Sequence, residues 1–434
     1  MEYIRRILDT EIDRRVKAFN AINIVGPKGC GKTRTAKERS KTAIEFQDEE
    51  KRAAYLSVAE ISPSLLLKNQ KPILFDEWQD APKIWGAIRK ACDDNPEATG
   101  EYFLTGSTSQ KIQTPHTGTG RISELTLYPM TLYETGESNG SISISNLFDK
   151  GYEHDGQKSD LSLEDLFFCA CRGGWPRTLL LIDDAAKLEI ARDYFRQIYT
   201  KDISAIDGVK RNPETARIIM TSYARNMSTL AKKKVIYEDV RATQNISDAT
   251  ISSYIEVLKQ LFVVKDIDAW TPQIRSKTGI RASKKHIFID PSIGIAALGL
   301  TPDYFNNDLD TFGHIFENLI LRDLTVYAQA HNARVMHYRD DTGLEADAVF
   351  QLADGRYGLI EIKLGANRIP AAEKNLLKFR ELIQTHNDTA LADKGHPGVV
   401  YREPEFLAII CGNAPISYTT ENGVKILPSG CLKD

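Results

Sequence analysis

The apolar and polar positions divide the chain into short apolar runs and amphipathic stretches of helical period. "AINIV" at 21–25 is nearly all apolar, and a helical pattern follows it. "KPILFDEWQD" at 71–80 ends an apolar run in two acids. "AAYLSV" at 53–58 reads as a strand, "WGAIRKACDD" at 85–94 as a helix, and "EYFLTGSTS" at 101–109 and "ISELTLY" at 122–128 as further strands. Continuous apolar runs of this length, bounded by turn residues, fit strands covered on both faces.

Residues 136–160 are rich in Gly, Ser and Asp and read as a surface insertion or linker. From Leu161 the pattern turns helical in "LSLEDLFFCACRGGWPRTLLL" and "AAKLEIARDYFRQIYTKDI". Residues 213–268 run helix, turn, helix, then a strand-like stretch, which is a winged-helix pattern. Ser247 is a fitting N-cap for the helix that carries Ile251, Tyr254, Ile255 and Leu258. That helix offers Lys259 against Asp248 and Glu256, which favours packing over DNA reading. "IRSKTGIRASKKH" holds Arg275, Lys277, Arg281, Lys284 and Lys285 with no acid, and is the better local candidate for phosphate contact; a solvated loop is the other reading. "TFGHIFENLILRDLTVYAQA" is a helix with Phe312, Ile315, Phe316, Leu319 and Ile320 as its apolar positions. Strands "RVMHY", "EADAVFQL" and "GLIEIKL", a helix "AAEKNLLKFRELIQT", and strands "GVVY" and "LAII" follow.

The 434 residues suit two or three domains, and 42% hydrophobic content is ample for packed cores. With 56 Lys plus Arg against 59 Asp plus Glu, the net charge of −3 does not announce a polyanion partner. The 6 cysteines are scattered without a C-x-x-C pair, which fits reduced thiols. The first residues are charged throughout, and no run reaches the length of a membrane span. These features read as a soluble, cytoplasmic protein with no membrane partner.

Between strand "AINIV" and the following helix stands Gly26-x-x-x-x-Gly31-Lys32-Thr33, a full Walker A pattern. The loop Gly26, Pro27, Lys28, Gly29, Cys30, Gly31, Lys32, Thr33 and Arg34 would cradle the phosphates of ATP through backbone N–H groups at a helix start. Lys32 would reach the β- and γ-phosphates, and Thr33 would bind Mg2+. Asp76 would hold the ion through water, and Glu77 would polarise the attacking water. Thr105 or Ser107, at the polar end of "YFLTGS", falls where a sensor would meet the γ-phosphate; an ordinary strand-to-loop turn is the other reading.

In "GLIEIKLG", Glu361 and Lys363 stand two apart and leave the strand on one face. A two-residue Asp354-Gly355 turn would send Asp347 and Glu361 to opposite faces. A three-residue Ala353-Asp354-Gly355 turn, with Gly355 left-handed, sets Leu352 opposite Arg356, Asp347 opposite Glu361 and Lys363 opposite Glu345. Facing carboxylates repel unless a cation sits between them, and oxygen donors suit Mg2+ or Mn2+. The competing reading is a salt-bridged sheet surface.

With these residues the chain resembles a prokaryotic family that fuses an AAA-type ATPase domain to a C-terminal domain of unknown function, DUF4143, holding a winged helix and a nuclease-like fold. The resemblance runs from about Ala21 to Gly412 through "GPKGCGKT", "ILFDEWQDAP", "FLTGS", "GRISELTLYPMTLYE", "RGGWP", "FENLI" and "LEADAVF…IEIKLG"; "LEAD" departs mildly from the commoner Glu-Val-Asp wording but keeps Asp347. It implies an α/β chain: an AAA+ P-loop ATPase core over 1–137, a linker and helical lid over 138–207, a winged helix over 208–310, a PD-(D/E)XK nuclease-like domain over 311–415 and a tail over 416–434. It implies Arg121 as an arginine finger reaching a neighbouring subunit, with a structural arginine as the other reading, and Arg172 or Arg177 as a lid sensor. In the last domain it implies Glu317, Asp347 and Glu361 as metal ligands and Lys363 as the catalytic lysine. The implied partners are nucleic acid, DNA favoured, and further copies of the chain, in a ring that could hold six.

Overall fold

The structure, a computed structural model, describes residues 2–107, 117–230, 233–272, 283–392 and 399–434. Strands β1 Ala21–Val25, β2 Thr42–Glu45, β3 Ile73–Asp76, β4 Tyr102–Gly106 and β5 Ile122–Thr126 form a parallel five-stranded sheet in the order β2-β3-β4-β1-β5. Central β1 is buried at every residue, which is why its sequence does not alternate. Ile84, Trp85 and Ile88 of helix Lys83–Asp94 cover one face, and Leu8 and Ile12 of helix Leu8–Arg15 cover the other.

The strand expected at "AAYLSV" is instead part of helix Arg52–Ile61. Tyr55, Val58 and Ala59 recur at helical spacing and pack on the same core, so a short apolar run concealed a helix. The intervening strand lies earlier, at β2, where Thr42 and Ile44 supply the β-branched positions.

Residues 136–160 are no surface linker. β6 Ile142–Ser143 begins a buried stretch in which Ile142, Ile144, Leu147 and Phe148 join the main core. "SISIS" is a period-two alternation that the Gly/Ser composition obscured. Next come helices Leu163–Arg172 and Asp184–Gln197; Ser162 and Asp165 close a reciprocal cap on the first. Helices Pro213–Arg225, Lys233–Arg241 and Asp248–Gln260 then lead to an antiparallel ribbon of β7 Val264–Ile267 and β8 Lys285–Phe288. Ser247 does cap its helix, accepting Thr250 N–H at 3.2 Å, and Lys259 is spent on Asp266 at 2.7 Å.

The last third opens with helix Leu309–Ala330 and continues through β9 Arg334–Arg339, β10 Glu345–Gln351, β11 Tyr357–Lys363, helix Ile369–Ala392, β12 Phe406–Cys411, β13 Tyr418–Thr419 and β14 Val424–Pro428. The six strands order as β13-β14-β12-β11-β10-β9 in a mixed sheet. Phe316 and Leu319 belong to the core on one side of this sheet, with Ile360 and Ala408. Leu376, Phe379 and Ile383 belong to the core on the other side, with Leu359 and Ile409. The sheet therefore runs past the boundary expected at 415, and residues 399–401 of "GVVY" form no strand. Finally β15 Leu432–Lys433 pairs in parallel with β6, so residues expected as a tail are part of the packed body. Among the described residues no helix is long and apolar enough to cross a membrane.

Candidate functional site

The phosphate loop leaves β1 at Gly26, whose φ is +149° and whose missing side chain admits the Leu127 carbonyl; a Cβ there would stand 2.2 Å from that oxygen. Lys32 is buried, and its ammonium donates to the carbonyls of Gly26 at 3.1 Å and Pro27 at 2.9 Å. Thr33 Oγ1 donates to Asp76 Oδ1 at 2.7 Å, and Thr105 Oγ1 donates to the same oxygen at 2.5 Å. Hydroxyl and carboxylate oxygens side by side are the donor set magnesium prefers, so Thr33 and Asp76 fit that ion. Glu77 lies just beyond β3 in the left-handed region, φ 52°, a sparsely populated conformation for a carboxylate residue. Thr105 Oγ1 accepts its backbone N–H at 3.2 Å, while Ser107 and Gln79 donate to its carboxylate, Ser107 at 2.9 Å. Thr105 and Ser107 thus hold the two acids directly.

Arg172 and Arg177 separate clearly. Arg172 is buried and paired with Glu137 at 2.5 Å. Arg177 is exposed and lines a cavity of about 450 Å³ with Tyr3, Gly31, Arg34 and Thr35, beside the phosphate loop. Lys28 meets Asp202 at 2.7 Å, so the loop and the helical region after it touch. Arg121 pairs with Asp93 of its own subunit at 2.8 Å and, preceding β5, sits at the end of the sheet opposite the phosphate loop.

In the C-terminal domain Leu352 N–H donates to the Arg356 carbonyl at 2.8 Å and Gly355 takes φ +86°, so the turn is the three-residue one. The ladder pairs Gln351 with Tyr357 and Ala348 with Ile360, which extends to Asp347 across from Glu361. On the other edge Met336 pairs with Val349 and Tyr338 with Ala346, so Asp347 and Ala348 bulge against His337. The bulge re-aims Asp347. Its Oδ2 accepts Ile362 N–H at 2.8 Å and Lys363 Nζ at 2.7 Å, and Lys363 reaches Glu361 Oε2 at 2.6 Å. Lys363 pairs with Asp347 and Glu361, and the Glu345 carboxylate pairs instead with Arg339 at 3.2 Å.

Glu317 joins from its helix, but through a lysine. Lys285 Nζ pairs with Glu317 and lies 3.7 Å from Asp347 Oδ1. Lys285 is therefore a buried β8 residue and not a solvent-side phosphate contact, and Lys284 is taken by Asp268 at 2.7 Å. Arg275, Lys277 and Arg281 lie outside the described residues. Burial raises Asp347, but the Lys363 and Lys285 ammoniums outweigh it and hold its carboxyl well below the usual range. Burial pushes Glu317 and Glu361 upward, and the Asp347 charge adds to both. Two ammoniums stand among three carboxylates, and among the described residues no group of three or more metal-ligating side chains forms. The expected metal ligands Glu317, Asp347 and Glu361 lie near one another but are each turned to Lys285 or Lys363 rather than to a shared point, and this arrangement does not fit a divalent ion.

Sequence reasoning missed Arg6, whose guanidinium donates to the Cys30 carbonyl at 2.9 Å and to Glu134 at 2.9 Å. It also missed Asn375, which donates to Glu361 at 2.6 Å. Neither lies in a motif: Arg6 is found through a partner 128 residues away, and Asn375 through the helix that follows β11.

A parallel sheet with this strand order, a phosphate loop at the end of β1 and an acid pair at the end of β3 defines an AAA-type ATPase. Comparison with family models gives the rest: residues 18–136 match the AAA domain, 163–304 a domain of unknown function, DUF8612, and 312–428 a domain of unknown function, DUF4143. The chain is an AAA domain joined to DUF8612 and DUF4143 domains. Among solved structures, the Walker-type ATPase PABY2304 of Pyrococcus abyssi is similar at 12% identity, with 68% of this chain and 96% of that one covered and a TM-score of 0.43. No curated protein matches.

Proposed function

We propose that this ATPase is magnesium-dependent, assembles with further copies of itself, and uses its nucleotide cycle to control a C-terminal domain that acts on nucleic acid, DNA in preference. The observation that carries the ATPase chemistry is Asp76 accepting from Thr33 and Thr105 beside a Glu77 fixed by Ser107. Bound magnesium would neutralise phosphate charge. Thr33 and Asp76 would hold it, Lys32 would bind the phosphates, and Glu77 would take a proton from the attacking water. Arg177, which lines the cavity beside the phosphate loop, would contact nucleotide from the lid side.

Support for nucleic acid comes from the C-terminal element order and from a groove of about 550 Å³ into which Lys363, His314, Asn367, Arg368 and Asn413 open. The lysine-paired acid cluster favours a second reading, a switch that binds DNA or protein without cutting. Incubating the protein with circular and linear DNA, manganese, and with or without ATP separates the two. Cleavage lost in Lys363→Ala supports the nuclease; binding without cleavage under every condition supports the switch; neither binding nor cleavage overturns both.

A further inference from the structure

The disagreement between the acid cluster and a divalent ion points to a specific residue. Lys285 does not belong to the C-terminal domain that owns the acids. It opens β8, within the stretch matching DUF8612, and reaches across to Glu317. It is among the buried charged residues, and its Nζ also lies 3.5 Å from the Asp347 carbonyl. Lys363, by contrast, sits on the same strand as Glu361 and stays in the cluster whatever the neighbouring domain does. One counter-ion is intrinsic and the other is lent by a neighbour.

We infer that Lys285 is an internal counter-ion that keeps divalent cations out of the acid cluster while β8 lies against helix Leu309–Ala330. Two ammoniums against at most three ionised carboxylates leave a net charge no more negative than about −1. A divalent ion added to that buried set would make it positive, and a buried excess of either charge is strongly disfavoured. Entry of an ion therefore requires one ammonium to leave, and Lys285 is the one that can leave by domain movement. The contact that would have to part is that of β8 with the helix, inside a larger seam that the Arg322–Asp290 pair at 2.7 Å and a shared core also hold. Asn318, next to Glu317, accepts Phe288 N–H at 2.8 Å and donates to the Phe288 carbonyl at 2.9 Å, so one helical turn holds both ends of β8. The inference concerns cation access and does not require that the domain cleave anything.

The test is manganese binding to the full chain without nucleotide, read by the spin-resonance signal of the free ion. Lys285→Met keeps most of the side-chain volume and removes the charge. It should bind Mn2+ at least about tenfold more tightly than the parent. Lys285→Arg should bind no more tightly than the parent, and Asp347→Asn added to Lys285→Met should abolish the gain. Because removing Lys285 leaves Glu317 buried and unpaired, thermal melting is read alongside. Mn2+ should raise the melting temperature of Lys285→Met and leave that of the parent unchanged. Equal Mn2+ affinity in parent and Lys285→Met, or a gain that survives Asp347→Asn, overturns the inference. If Lys285→Met melts too low to assay, the parent decides it: tight binding that Asp347→Asn removes overturns the inference, and its absence supports it.

Discussion

Arg6 and Glu134 form a buried ion pair, Nε to Oε1 at 2.9 Å, and it lies between the phosphate loop and the C-terminal domain. On one side Arg6 holds the Cys30 carbonyl. On the other, Glu134 accepts Thr131 N–H at 2.9 Å, and the next residue, Leu132, donates to Asp323 at 3.0 Å on the helix that carries Glu317. Asp323 pairs with Arg322 at 2.7 Å, and Arg322 with Asp290 at 2.7 Å. The nucleotide loop and the acid-cluster helix are thus joined by contiguous buried contacts, one route by which coupling can travel.

Arg322 tests that connection. Replacing it with Met leaves Asp290 and Asp323 buried without their shared cation, which costs about 3–5 kcal/mol. The melting temperature should fall markedly, against little change for a surface arginine such as Arg217. An unchanged melt would remove the network from the account of stability.

Glu77→Gln should keep nucleotide affinity while turnover falls by about 10²–10⁴, because the water loses its base. Lys32→Ala should weaken binding itself. Steady-state hydrolysis and fluorescent-nucleotide titration measure the two; a full hydrolysis rate in Glu77→Gln would reject the assignment.

Arg177→Ala should raise the dissociation constant for ATP about tenfold or more, since the arginine lines the loop-side cavity together with Gly31, Arg34 and Thr35. Arg172→Ala should act on stability instead, by orphaning Glu137. Equal nucleotide affinity in parent and Arg177→Ala would return Arg177 to a surface role.

Arg121 acts in trans only if activity depends on assembly. Hydrolysis per subunit should rise with protein concentration, and Arg121→Ala mixed with Glu77→Gln should recover part of the lost rate, because some mixed interfaces regain an intact site. Concentration-independent turnover by a monomer would leave only the Asp93 ion pair for Arg121.

His337 supplies a pH dependence. Burial, with the Lys285 charge added, pushes its pKa down to about 4. An unfolded histidine titrates near 6.5, so between the two values the unfolded chain holds a proton that the folded chain refuses. The corresponding stability is complete above about pH 6.5 and is lost as pH falls toward 4, up to about 3 kcal/mol. His337→Gln keeps a donor for the Ser283 carbonyl and should show a flatter melting profile over that window. Parallel profiles would place the titration elsewhere.

How much of this was legible in the sequence depended on locality. The phosphate loop, Asp76 and Glu77 sit in contiguous motifs, and a strand, a turn and a helix are enough to place them. The turn at Ala353–Gly355 was readable because loop length and a left-handed glycine fix the register. The bulge at Asp347 was not, since it depends on what β9 does across the ladder. Lys285 read as one more base in a basic loop because its acids lie far off in the sequence. The alternation in "SISIS" is local, but the Gly and Ser around it read as a linker, and its partner strand, β15, lies far off in the sequence.

That last pairing sets an order of events as the chain is made. Ser138 donates to the Leu432 carbonyl across 294 residues, and β6 cannot close its ladder until β15 exists. Ile142, Ile144, Leu147 and Phe148 must wait while both following domains are synthesised. Contacts so distant in sequence form slowly and leave apolar surface open to the wrong partners meanwhile. The ATPase sheet, built from near neighbours, can be folded on the ribosome long before the body it is joined to, so chaperone dependence should concentrate on the segment that waits.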